Sequence, residues 1–153
     1  MAGYRRRLSV ITVTTLLKGE LNPVERALLI TLGGAIGTLL RYVISLIAAR
    51  WLGTDFPYGT LIVNLSGAFI IGVVQHLGTE PILVIPDNTR LFLTTGMMGG
   101  LTTYSTFSYE TVRLMESGLW TEAWINITVT TVICLILCFL GMSVGRTIVS
   151  PRG

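Results

Sequence analysis

Charge is what this chain has least of: 12% of its 153 residues are Asp, Glu, Lys or Arg, against 51% that are hydrophobic. A water-soluble domain usually carries about 25% charged residues. With half that share and a mean hydropathy of +0.71, there is too little polar surface to cover a soluble core. This excludes a soluble enzyme, a nucleic-acid module and a disordered tail. The net charge of +3 and pI near 9.2 do not restore a nucleic-acid reading, because the bases are scattered or N-terminal instead of lining one polar face. Cysteine is scarce as well. Cys134 and Cys138 share one apolar run, provide no disulfide framework and do not fix a compartment. Two thiols four apart on a helix point roughly parallel, which suits neither a disulfide nor, without His or acid nearby, a metal site. Packing is their simplest role.

The scarce charges bracket four apolar segments. Residues 27–49 contain only Arg41, and residues 56–79, 91–109 and 123–145 contain no charge. A helix rising 1.5 Å per residue needs about 20 residues to cross roughly 30 Å of hydrocarbon. The spacing predicts four transmembrane helices in one unit over 27–149, with short polar connections, a basic tail at 1–26 and a C-terminal tail at 150–153. In the first tail, Arg5, Arg6 and Arg7 precede the run Leu8 to Leu17, as in a signal peptide. Lys18, Gly19 and Glu20 follow without a small-residue cleavage site. A poorly ordered tail or a short helix on the membrane surface fits better.

Glycine is abundant, with 17 residues. Gly33 and Gly37 form a G-x-x-x-G pair, and small residues let membrane helices approach where no hydrophobic effect drives them together. The pair Gly99-Gly100 stands apart, because Thr102, Thr103, Ser105, Thr106 and Ser108 follow within the same span. Such a stretch either breaks the helix, freeing backbone groups that protein, ions or water must satisfy, or stays helical with its hydroxyls bonded one turn back.

Polar groups inside a span are functional candidates by default. Tyr104 and Phe107 are three apart and share a face, where ring edges could touch an anion. Asn64 offers amide donors in the second span with Thr60 one turn before it, and Thr130, Cys134 and Cys138 make a weakly polar stripe in the fourth. No span interior carries Asp, Glu, Lys or His; His76 lies near a span end. A proton-coupled carrier and an enzyme therefore lack support, and a neutral, donor-rich lining for a small ion remains. Arg41 can snorkel to an interface and raise the local anion concentration.

Gly-Gly-Leu-Thr-Thr-Tyr-Ser-Thr-Phe-Ser (99–108) with Glu110-Thr111, Gly59-Thr60-Leu61-Ile62-Val63-Asn64-Leu65-Ser66-Gly67, and Gly37-x-x-x-Arg41 together resemble the Fluc (CrcB) fluoride channels over residues 27–149. The resemblance implies an all-α membrane fold of four transmembrane helices, the third broken at its centre. It also implies an antiparallel, dual-topology dimer with two fluoride pores. A central structural Na⁺ would be held by the backbone carbonyls of Gly99 and Thr102. Tyr104 and Phe107 would match the aromatic box, Asn64 and Thr60 the pore donors, and Thr130, Cys134 and Cys138 the polar track. Arg41 and Glu110 would stand at the vestibules. The implied role is passive export of cytoplasmic fluoride through the cell membrane, with no nucleic-acid partner and no enzymatic step.

Two departures from the family pattern are Tyr104 in place of a phenylalanine and thiols in place of two hydroxyls. Basic residues also divide unevenly. If the N-terminus is cytoplasmic, eight Lys/Arg lie on that side (five in the tail, at positions 5, 6, 7, 18 and 26, with Arg90, Arg146 and Arg152), against Arg50 and Arg113 on the other. The partner is then either a second copy inserted the opposite way or a paralogue. A small multidrug exporter would need a Glu in the first span, and 27–49 has none. A non-transporting scaffold would leave Asn64 and the hydroxyl-rich stretch unexplained.

Overall fold

The computed structural model describes residues 21–78 and 85–149. The basic segment 1–20 and the end of the chain at 150–153 lie outside the described residues. Helix α1 begins inside the last residues assigned to the tail, at Pro23, and runs Pro23–Leu52. Its start is written locally: Asn22 Oδ1 accepts from Glu25 N–H at 2.9 Å, and the Glu25 carboxylate accepts from Asn22 N–H at 2.8 Å. This reciprocal pairing satisfies N–H groups that a helix end leaves open, and Pro23 has none to satisfy. Gly53, at φ 86°, ends α1 in a conformation that a side chain would resist.

After α1 come α2 (Tyr58–Leu77), α3 (87–101), α4 (Tyr104–Glu116) and α5 (Trp120–Val149). No strand occurs among the described residues. Helices α1, α2 and α5 are each long and apolar enough to cross a membrane, while α3 and α4 together hold the segment 91–109 that the sequence predicts as the third span. The chain is a multi-pass membrane protein. Its outward faces carry large apolar side chains such as Leu32, Leu39 and Phe139, all exposed to what would be lipid. Trp51, Trp120 and Trp124 are exposed where α1 ends and α5 begins, at one end of the bundle, as interfacial aromatics are.

Inside, contact is backbone on backbone. An added Cβ at Gly33 would stand 2.6 Å from the Phe92 carbonyl, and one at Gly37 would strike the Met97 carbonyl. This close approach of α1 to α3 is the small-residue packing that the G-x-x-x-G spacing predicts. Gly100 belongs to the same contact, closing against Gly34, so it is a packing glycine. A small core of Val63, Met98 and Leu101, flanked by Ile44, Ile70 and Ile71, lies beside that crossing.

Candidate functional site

The third span breaks three residues after the Gly99-Gly100 pair begins, at Thr102 (φ −82°, ψ 157°) and Thr103 (φ −154°, ψ 117°), both extended. Of the two readings of this stretch, the broken one holds. Asn64 braces it from α2. Its Oδ1 accepts from Thr103 N–H at 2.8 Å and its Nδ2 donates to the Thr103 carbonyl at 3.1 Å. One amide thereby satisfies both backbone groups of one residue, which buried backbone requires. Thr103 then starts α4, its Oγ1 accepting from Thr106 N–H at 3.2 Å. Upstream, α3 is wound wide, in π-type turns, over Phe92–Met98, an irregularity frequent near functional sites.

The break has a consequence for carbonyls. In a continuous helix the Gly99 carbonyl would accept from Thr103 N–H, and that of Thr102 from Thr106 N–H. Those donors are committed to Asn64 Oδ1 and Thr103 Oγ1. The two carbonyls implied as cation ligands are thus among those that lose their helical donors here. Hard cations favour such oxygens.

Beside the break lies a cavity of about 500 Å³, lined by Asn64, Gly99, Thr102, Thr103, Tyr104, Phe107, Thr130, Cys134 and Cys138 among others. The Tyr104 and Phe107 rings meet at a centroid distance of 5.3 Å and an interplanar angle of 51°. Phe107 is 6% exposed, whereas Tyr104 is 80% exposed on the open flank. Cys134 and Cys138 are free and half-buried.

Not every candidate joins this cavity. Thr60 lines a second one, of about 220 Å³, together with Glu110. Thr60 Oγ1 donates to Glu110 Oε1 at 2.9 Å, while Glu110 Oε2 is shielded and without a partner among the described residues. Arg41 sits half-buried on α1 and lines neither cavity.

In sequence Asn64 and Thr60 read as donors and Thr130 as part of a weakly polar stripe. The structure commits a proton from each: Asn64 to Thr103, Thr60 to Glu110, and Thr130 to Asn126 Oδ1 at 3.3 Å. Asn126 is a residue the sequence reading missed, 1% exposed and donating through Nδ2 to Thr111 Oγ1 at 2.9 Å. Its signal was available, since it lies four residues before Thr130 and extends the 130, 134, 138 stripe by one turn.

The family described as "CrcB-like protein, Camphor Resistance (CrcB)" matches residues 28–142. Among curated proteins, the fluoride-specific ion channel FluC of Magnetococcus marinus is 44% identical over 119 residues, covering 78% of this chain and 96% of its own. The protein of the same name from Sorangium cellulosum is 45% identical over 126 residues, covering 82% and 98%. That of Clostridium perfringens is 46% identical over 120 residues, covering 78% and 93%. These relatives are named as ion channels, not enzymes. The braced break, the hydroxyl- and aromatic-lined cavity and the match across 28–142 agree, and the chain belongs to the CrcB family.

Proposed function

We propose that this chain is a subunit of a fluoride channel that lets F⁻ leave the cytoplasm passively. The observation that carries the reading is the break held open by Asn64 beside a cavity to whose lining no charged side chain contributes among the described residues. Fluoride is small and strongly hydrated, so a pore must replace its water with several donors, yet hold it loosely enough for exit. The second N–H of Asn64, the Tyr104 hydroxyl and the ring edges of Tyr104 and Phe107 are neutral groups of that kind. A lysine there would bind too tightly. Arg41 and Glu110 stand outside the cavity as vestibule groups, with Thr60 steering the Glu110 carboxylate.

The finer assembly is part of the proposal: an antiparallel dimer in the cell membrane, with two pores and a Na⁺ between Gly99 and Thr102 carbonyls of both copies. Support comes from the carbonyls that lose their helical donors and from the open flank at Tyr104, which a second copy would cover. Charge is compatible with two orientations. Among the described residues, Arg26, Arg90 and Arg146 stand toward one end and Arg50 and Arg113 toward the other, three against two. The tail bases at positions 5, 6, 7 and 18 restore the bias, and they are the observation that favours a paralogue as partner.

Fluoride efflux from liposomes containing only this polypeptide, in KF with valinomycin and read by a fluoride electrode, separates the two assemblies. Rapid efflux is expected and establishes a homodimer inserted both ways. Folded protein that stays silent until a paralogue is added would overturn it. The polar stripe of α5 has its own check. Methyl methanethiosulfonate should label Cys134 and slow efflux several-fold, and Cys134→Ser should resist; full flux after confirmed labelling would remove Cys134 from the pore.

A further inference from the structure

Asn126 links α5 to α4 by hydrogen bonds whose directions can all be stated. Thr130 Oγ1 donates to Asn126 Oδ1 at 3.3 Å, Asn126 Nδ2 donates to Thr111 Oγ1 at 2.9 Å, and Thr111 Oγ1 donates to the Phe107 carbonyl at 2.7 Å. The protons therefore point from the cavity wall inward. Thr130 lines the cavity, but its only hydroxyl proton is directed away toward Asn126. An anion would meet lone pairs there. The bond that holds this proton is the longest of the three, hence the weakest.

An asparagine amide turned by half a rotation fills nearly the same space with oxygen and nitrogen exchanged. In the turned state Nδ2 donates to Thr130 Oγ1 and Oδ1 accepts from Thr111, so the Thr130 proton is released into the cavity. The Phe107 carbonyl gives up its hydroxyl partner and keeps its place in the α4 ladder. The resting state makes three bonds among these groups. The turned state makes two, and a third only when the cavity holds an acceptor. An anion in the cavity therefore favours the turn.

We propose that Asn126 is a positioning residue that reverses the hydrogen-bond direction of Thr130, making it a donor when an anion is present. The proposal rests on the fluoride-channel reading above. A fixed clamp between α4 and α5 is the competing role, and the two differ in sign at Thr111. Valine there keeps the shape and takes two bonds from the resting state, those of Thr111 with Asn126 Nδ2 and with the Phe107 carbonyl, but only one from the turned state, so the balance moves toward the turn. Thr111→Val should therefore leave fluoride efflux from liposomes unchanged or raise it about two- to threefold, whereas a lost clamp would slow it. Asn126→Leu should slow efflux about tenfold, because the Thr130 hydroxyl is then left to bond the carbonyl one turn back. Adding Thr130→Val to Asn126→Leu should slow it no further.

Slowed efflux in Thr111→Val, or multiplying losses in the double variant, would overturn the proposal while leaving the channel reading intact. A silent unaltered chain, alone and with a paralogue, would overturn both. If Asn126→Leu does not yield folded protein, the sign at Thr111→Val decides alone.

Discussion

Asn64→Leu should abolish fluoride efflux and lower the melting temperature in detergent, the largest loss expected from any single side chain of the cavity. Leucine has nearly the shape of asparagine and keeps the packing on α2. What it removes is both partners of Thr103, whose N–H and carbonyl are bonded at 2.8 and 3.1 Å and which is itself 8% exposed. Each buried backbone group left unpaired costs about 1–3 kcal/mol, so the variant should lose roughly 2–6 kcal/mol. Since about 1.4 kcal/mol is tenfold in an equilibrium constant, even the low end shifts the balance against the braced geometry by more than about tenfold. Asn64→Asp separates the two bonds. Its carboxylate still accepts from Thr103 N–H but opposes the Thr103 carbonyl and any arriving anion. It should retain more thermal stability than the leucine variant and conduct no better. Full efflux in Asn64→Leu, measured by fluoride electrode with folding verified by elution volume, would show that the break stands without its brace.

Much of this arrangement can be read along the chain, and what cannot is mostly long-range. The broken third span follows from weak helix formers gathered in ten positions, a local property. Where it breaks does not: Gly100 reads as a breaker but faces Gly34 across a helix crossing, and the extended residues are Thr102 and Thr103. The brace joins residues 39 apart and the Thr60–Glu110 bond joins residues 50 apart. No spacing rule connects them. Proton direction is the least legible feature, since a hydroxyl or amide in sequence is a donor and an acceptor at once. Only its neighbours decide which it offers, which is why the two apparent donors Asn64 and Thr60, and the stripe residue Thr130, prove to have partners already. Asn126 escaped notice for another reason. It lies in the first turn of its span, where an amide is unremarked because interfaces are polar.

The helix crossing that sets these distances can be tested by two alanines three residues apart. Gly37→Ala should destabilise the protein by about 1–3 kcal/mol or more, the usual cost of overpacking a tight contact, and should slow efflux at least as strongly. The added methyl would strike the Met97 carbonyl and stand 2.8 Å from Leu101 N and 2.9 Å from Met97 C. All three are backbone atoms, so no side-chain rotation relieves the clash, and α3 must move off α1. Leu101 immediately precedes the break, so that movement carries Thr102 and Thr103 away from Asn64. Gly34→Ala is the control on the same helix. Its methyl would meet nothing nearer than the Gly96 carbonyl at 3.9 Å, and alanine gains about 0.5–1 kcal/mol over glycine within a helix. It should melt at or above the unaltered temperature and conduct normally. Both effects are read from thermal melts in detergent and efflux from liposomes. Equal tolerance of the two alanines would mean that α1 and α3 stand farther apart than the backbone contacts at Gly33 and Gly37 require, and the register between the break and its brace would then have to come from α2 alone.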